Sequence, residues 1–262
     1  MRVHTLGFRT DLALRVLEGA EVTDRGDYLV VRTADNPDFH WGNFLLLGGW
    51  PGPGTGDGWL ARFAAEFPRA GHVALGVDIT EWAGRALPAE FRGAGLELEH
   101  AAVLTCADVR PPLRQNTEAG IRPLESDADW RQSAELNLRC YGEGEPSEYL
   151  ERRVAARRRL TRAGHGAWFG AFGGDRLLAQ LGVCDAGRGL ARYQDVETDP
   201  AARRQGLAGT LVWRAGRHAA EALGASTLVI VADPAEAAIR VYRACGFADA
   251  QTQVSITRAT AG

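Results

Sequence analysis

The sequence predicts an α/β (α+β) chain of two similar halves, each a mixed, mostly antiparallel sheet flanked by helices. Three observations lead there. From residue 121 onward, apolar runs of strand length alternate with segments of helical periodicity. The later part of that order recurs in the first half: the helix starts Gly58 and Gly206, and the strand-ending aspartates Asp78 and Asp233, each stand about 150 residues apart, as an internal duplication would place them. Between the halves, "VRPPLRQNTEAG" at 109–120 is rich in proline and polar residues and reads as a linker. A chain of 262 residues suits two domains, with boundaries at 1–112 and 119–262.

The first half gives strands "DYLVVRT" and "HWGNFLLL", a helix "GWLARFAAEF", a strand "HVALGVD", a short helix "PAEFRGAG" and a last strand "LELEHAAVLTC". In the second half "IRPL" is a short strand, followed by helices "DADWRQSAELNLRC" and "PSEYLERRVAARRRLTRAG". Strands "HGAWFGAF" and "RLLAQLGVCD" flank Gly173, Gly174 and Asp175, a hairpin turn in which glycine supplies the positive φ. A third strand, "LARYQDVET", leads into "DPAARRQGLAGTL". The helix beyond it places Leu207, Leu211, Ala215 and Ala219 four residues apart, a single apolar stripe. "STLVIVAD" is apolar enough to be covered on both faces. "AEAAIRVYRACGF" is a short helix closed by Gly246 and Phe247, and "AQTQVSITRA" alternates as a final strand of the second half.

Composition removes several function classes. A formal charge of −3 argues against a chain whose whole surface binds nucleic acid. No apolar run reaches the ~18 residues of a membrane span, and charges interrupt the N-terminal stretch, so a cytoplasmic protein is expected. Cys106, Cys140, Cys184 and Cys245 form no C-x-x-C pair, so neither zinc nor a disulfide framework is indicated. All 30 basic residues are arginine, which excludes Schiff-base chemistry and a P-loop lysine. There is no G-x-S-x-G elbow and no H-E-x-x-H pair.

The stretch 199–211 carries the chemistry. A helix N-terminus leaves about four N–H groups unpaired and holds roughly half a positive charge, so it favours a phosphate. Gly206 lets an anion approach the backbone, Ala208 keeps the first turn narrow, and Arg203 and Arg204 add charged donors. The motif alone fits a pyrophosphate seat and a capped surface helix equally. Yet "RRQGLA" at 203–208 resembles the R/Q-x-x-G-x-G/A pattern of the GNAT superfamily of acyl-CoA-dependent N-acyltransferases. "AIRVYRACGF" resembles that family's A-x-x-x-Y-x-x-x-G-F helix at the expected distance, and "IRPL" with two helices resembles its opening. The resemblance covers about residues 119 to 260.

It implies acetyl-CoA as coenzyme, held by Arg203, Arg204, Gln205, Gly206, Leu207, Ala208, Gly209 and Thr210, with Ala235 and Ala238 on the following helix. Backbone groups at Val196 and Thr198 would bind the pantetheine amides. Ala235 departs from the family, which often has asparagine there, so a hydrogen bond to the pantetheine arm is in question. The resemblance further implies acetyl transfer to an amine of a small molecule or peptide. A strand carboxylate would act as base, Glu197 first and Asp195 second, on one strand face by the period of two. Tyr242 would return a proton to the thiolate. A coenzyme-binding sensing or scaffolding module is the alternative.

No membrane or nucleic-acid partner is expected, and the chain would act as a monomer or homodimer. "RRVAARRR" at 152–159 suits an acidic acceptor, a coenzyme phosphate, RNA or a plain solvated helix face. Glu143, Glu145 and Glu148 suit a cationic amine. In the first half, "PGPGTGDG" at 51–58 has no arginine and Phe91 stands where a tyrosine would, so that half is expected to be a degenerate relative of the other.

Overall fold

The computed structural model describes residues 1–81, 84–142 and 147–258. The chain divides into two compact units, one formed by Met1–Val103 together with the segment from Gln251 onward, the other by Leu104–Ala250. In chain order the first unit contains α1 (Leu6–Leu17), β1 (Glu21–Asp24), β2 (Tyr28–Arg32), β3 (Asn43–Leu47), α2 (Gly56–Glu66), β4 (Val73–Val77) and α3 (Ala89–Gly93). β5 (Glu97–Cys106) begins in the first unit and ends in the second. There follow β6 (Gly120–Pro123), α4 (Asp127–Tyr141), α5 (Ser147–Arg162), β7 (Gly166–Gly173), β8 (Arg176–Asp185), β9 (Leu190–Thr198), α6 (Leu207–Ala222), β10 (Thr227–Ala232), α7 (Ala238–Ala244) and β11 (Ala248–Arg258).

Helix α1 has no counterpart in the sequence reading. Its inward face carries Phe8 and Leu14, but also Arg15, which breaks the apolar signature. That arginine is neutralised locally by Glu18 and lies 4.7 Å over the Phe39 ring. The Asp78 carboxylate anchors the entry of α1, accepting from the N–H groups of His4 and Thr5 (both 2.8 Å) and from the Thr5 hydroxyl (2.6 Å).

In the first unit β2 pairs antiparallel with β1 and β3, α2 crosses over, and β4 returns parallel to β3. The other neighbour of β4 is β11, antiparallel, with Val254 opposite Val77 and Ile256 opposite Leu75. The last strand was expected in the C-terminal half, and this register corrects that boundary. The reason is burial: Val254 and Ile256 alternate inward into a core with Leu45, Leu75, Val77 and Phe91. Ile256→Ala is expected to destabilise the first unit by about 2–5 kcal/mol, read by denaturant unfolding; a loss confined to the second unit would contradict the pairing.

The second unit orders its strands β10-β9-β8-β7-β6. β6, β7, β8 and β9 are antiparallel neighbours, and β10 returns parallel to β9 after α6. Leu207, Leu211, Ala215 and Ala219 are all buried, as the stripe requires. Ser126 and Asp129 form a reciprocal cap on α4. Asp129 also takes a two-pronged bond from Arg122 (2.7 and 2.8 Å), which holds its carboxyl well below the usual carboxylate range.

The proline-rich segment 109–119 is not a free span. It belongs to the second unit, where the Arg110 N–H donates to the Cys245 carbonyl (2.9 Å) at the end of α7. Both units follow the same succession of antiparallel pair, crossover helix, parallel strand and short helix: β2, β3, α2, β4, α3 in one and β8, β9, α6, β10, α7 in the other.

Candidate active site

β9 and β10 pair only at Leu190–Arg192 with Thr227–Val229. Beyond that point β9 runs on to Thr198 and β10 to Ala232 without pairing with each other, and the Thr198 carbonyl accepts instead from the Cys140 thiol and the Arg203 Nε (both 3.4 Å). Chain direction then reverses through Asp199. This buried carboxylate accepts from the Ala201 N–H (3.0 Å), Arg139 (2.9 Å) and Arg176 (2.8 Å), and these bonds outweigh burial to hold it below its ordinary pKa. The loop enters α6 through Arg204 and Gly206, both in the left-handed region with φ of 64° and 80°. Thr210 is the first residue of α6 whose N–H reaches a helix carbonyl, that of Gly206 (3.1 Å). The N–H groups of Gly206, Leu207, Ala208 and Gly209 have no acceptor among the described residues. Arg203 and Arg204 are exposed and form no ion pair among the described residues, and the Arg203 Nε donates to the Thr198 carbonyl (3.4 Å).

Several expected coenzyme residues stand differently than the motif suggests. A Cβ on Gly206 would lie 2.6 Å from the Arg114 carbonyl oxygen, so the close backbone approach at this glycine is made by the chain itself. Thr210 uses its N–H within the helix and its hydroxyl on the Gly206 carbonyl (2.8 Å), which leaves it nothing to offer a phosphate. Leu207 faces the core, so it has only its N–H available. Gln205 is exposed, and its carbonyl is taken by Asn116. Ala235 is exposed in an Asx turn closed on Asp233 (2.8 Å), and Ala238 opens α7, half-buried.

Both strand carboxylates engage α4 and α5, though simple alternation is not the cause. The β8 register steps from Gln180 opposite Glu197 to Gly182 opposite Gln194, so β9 spends one extra residue, and Asp195 takes a φ of 50°. Asp195 is ion-paired with Arg157 (2.6 Å) and Arg153 (3.2 Å). Arg157 is only 2% exposed and lies 5.5 Å from the Trp168 ring centre. Two members of the arginine run therefore turn inward, which corrects the reading of "RRVAARRR" as a wholly solvated face.

Glu197 is 3% exposed. Asn137 donates to its Oε1 (2.7 Å) and Gln180 to its Oε2 (2.6 Å). Burial, reinforced by the Asp195 charge, raises its pKa above the ordinary carboxylate value, and Arg157 and the two amides offset only part of that. Tyr242 is 5% exposed, its hydroxyl has no hydrogen-bond partner among the described residues, and burial pushes its pKa up to about 12. Tyr141 ends α4 with most of its side chain exposed; partial burial and then the charges of Glu197 and Asp195 raise its pKa. Glu197 and Asp195 thus share one cluster on β9 against α4 and α5, while Tyr242 stands buried on α7. Asn137, Gln180, Arg153 and Arg157 complete that cluster; the two amides have no signal in the sequence, and the two arginines belong to the run at 152–159. Glu143 and Glu145 lie outside the described residues, and Glu148 pairs with Arg152.

The corresponding place in the first unit is built differently. β3 and β4 stay paired through Leu47 and Val77, and the Asp78 N–H still reaches the Leu47 carbonyl (2.9 Å). The Gly54 N–H donates to Glu90 (2.6 Å), so a carboxylate already sits at that loop. Phe91 is fully buried in the core.

Comparison with known proteins gives a family match inside the second unit. Residues 130–247 match the acetyltransferase (GNAT) family. No curated protein matches the chain. Among solved structures, a GCN5-related N-acetyltransferase from Kribbella flavida is similar over 98% of this chain and 97% of its own, with a TM-score of 0.64 and 15% identity. A functionally unknown conserved protein from Staphylococcus epidermidis is similar over 92% of this chain and 94% of its own (TM-score 0.68, 11% identity). A tandem GNAT protein from the clavulanic acid biosynthesis pathway is similar over 97% and 88% (TM-score 0.58, 14% identity). At these identities the structures speak for the fold alone. The diverging strands, the open α6 N-terminus and the sequence match coincide in one stretch, and residues 130–247 are a domain of the acetyltransferase (GNAT) family.

Proposed function

We propose that the chain is an acetyl-CoA-dependent N-acetyltransferase that passes the acetyl group directly to an acceptor amine. The second unit holds the coenzyme, and residues 1 to about 112 form a degenerate half without a coenzyme seat. One observation carries this reading: β9 parts from β10 in the stretch that carries Glu197 and leads into the four unpaired N–H groups of Gly206–Gly209. Unpaired N–H groups at a helix start, backed by two exposed arginines with no ion pair among the described residues, fit a pyrophosphate. The unpaired β9 edge fits an amide-bearing arm. In the first unit Glu90 would repel a phosphate from the equivalent loop.

The coenzyme, when bound, supplies an activated acyl thioester. An alkyl ammonium with a pKa of about 10.4 must lose a proton before it can attack, which costs about 4–5 kcal/mol at neutral pH. Glu197, with its raised pKa, accepts that proton directly or through a water, and the amine lone pair forms the C–N bond as the C–S bond breaks. Tyr242, protonated at neutral pH, donates a proton to the departing sulfur. Asp195, held by two arginines, serves as counter-ion rather than base.

Thiol release from acetyl-CoA in the presence of a panel of small amines and peptides tests the reading; turnover with none of them would contradict it. With an acceptor in hand, Tyr242→Phe is expected to lower kcat about ten- to a hundredfold with little change in KM. An unchanged kcat would remove Tyr242 from the proton path.

A further inference from the structure

The segment 109–119, which joins the end of β5 to β6, docks along α6 rather than passing over it. Val109 lies against Gly216, where a Cβ would come within 2.7 Å of its Cγ1. Pro112 lies against Gly209, where a Cβ would meet its ring at 3.0 Å, and the Arg114 carbonyl lies against Gly206. Asn116 then makes a clasp. Its N–H donates to the Thr210 hydroxyl oxygen (2.9 Å) and its side-chain amide to the Gln205 carbonyl (3.0 Å). Its Oδ1 accepts from the N–H groups of Glu118 (3.1 Å) and Ala119 (2.8 Å), which fixes the ring of bonds on both sides. The Thr210 hydroxyl donates in turn to the Gly206 carbonyl.

These bonds bracket the left-handed turn at Gly206, the turn that aims the four unpaired N–H groups. Asn116 holds the carbonyl just before the turn with its side-chain amide and the hydroxyl just after it with its backbone N–H, which restricts the rotation of the intervening peptides. We infer that Asn116 is a positioning residue for the coenzyme loop, and that docking of 112–116 and binding of coenzyme phosphates are thermodynamically coupled. This rests on the coenzyme reading above. Reciprocity requires that, if the docked segment raises coenzyme affinity, coenzyme must stabilise the docked segment by the same factor.

Two measurements on the full chain test it. Calorimetric titration with coenzyme A compares wild type with Asn116→Ala; a roughly tenfold loss of affinity is expected for the missing side-chain bonds to Gln205, Glu118 and Ala119. Hydrogen–deuterium exchange on the wild type reads the amides of 112–119 with and without coenzyme A, and slower exchange on binding is expected. The exchange measurement needs no variant, so it decides the matter even if Asn116→Ala fails to fold. Wild-type binding with unchanged exchange, or with equal affinity in a folded Asn116→Ala, overturns the inference and leaves the coenzyme reading intact. Absence of wild-type binding overturns both.

Discussion

Glu197→Gln is expected to lower kcat by about two to four orders of magnitude while coenzyme affinity stays close to wild type. The substitution is close to isosteric, and the site accommodates it. Gln180 donates to Glu197 through its amide nitrogen while its own Oε1 has no hydrogen-bond partner, so a flipped Gln180 accepts from the new amide, giving up its bond to the Ser133 carbonyl (3.2 Å). What is lost is the proton acceptor. Because burial raises the Glu197 pKa, the ionised form grows in as pH rises through a value above the ordinary carboxylate range, and kcat rises with it. Glu197→Gln removes that limb of the pH profile. Asp195→Asn separates the two carboxylates: it leaves the buried Arg157 guanidinium without its counter-charge, so the expected effect is a stability loss of about 3–5 kcal/mol. A pH limb that survives in Glu197→Gln would exclude Glu197 as base.

Gly206→Ala is expected to weaken acetyl-CoA binding at least about tenfold and to destabilise the fold by roughly 1–3 kcal/mol. Its φ of 80° disfavours a side chain, and the added methyl would stand 2.6 Å from the Arg114 carbonyl, so the turn that aims the open N–H groups must shift. Gly54→Ala is a matched control. It also has a left-handed φ, 77°, but nothing within 4 Å of the added methyl, and it sits in the first-unit loop already engaged by Glu90. It is expected to cost about 1 kcal/mol of stability and to leave acetyl-CoA affinity unchanged. Equal effects of the two substitutions on binding would contradict the assignment of one competent and one degenerate half.

What the sequence discloses here is what depends on near neighbours along the chain. The limits of β8 and β9 coincide with their apolar runs, and the stripe from Leu207 to Ala219 is buried as its spacing requires, because period and face are local properties. The partner of a strand is not local. "AQTQVSITRA" alternates in a way that suits many sheet edges, and its place beside β4 is decided by the core that Val254 and Ile256 enter. The bulge at Asp195 carries no glycine to signal it, and the Asn137 and Gln180 amides that hold Glu197 come from other elements.

Residues 109–116 look like a linker by composition, yet α6 holds the clue to their docking. Gly209 and Gly216 lie inside that helix, where each costs about 1 kcal/mol relative to alanine. They stand seven residues apart on one face, against Pro112 and Val109. Helix glycines at that spacing mark a close backbone approach, a signal present in the sequence and passed over.

Calorimetric titration of acetyl-CoA into the wild-type chain and Arg203→Ala tests the central claim most directly. The prediction is micromolar binding at one site per chain, lost or strongly weakened in the variant, because Arg203 is exposed beside the open start of α6 and forms no ion pair among the described residues. Two sites per chain, affinity indifferent to Arg203, or no binding at all would contradict it.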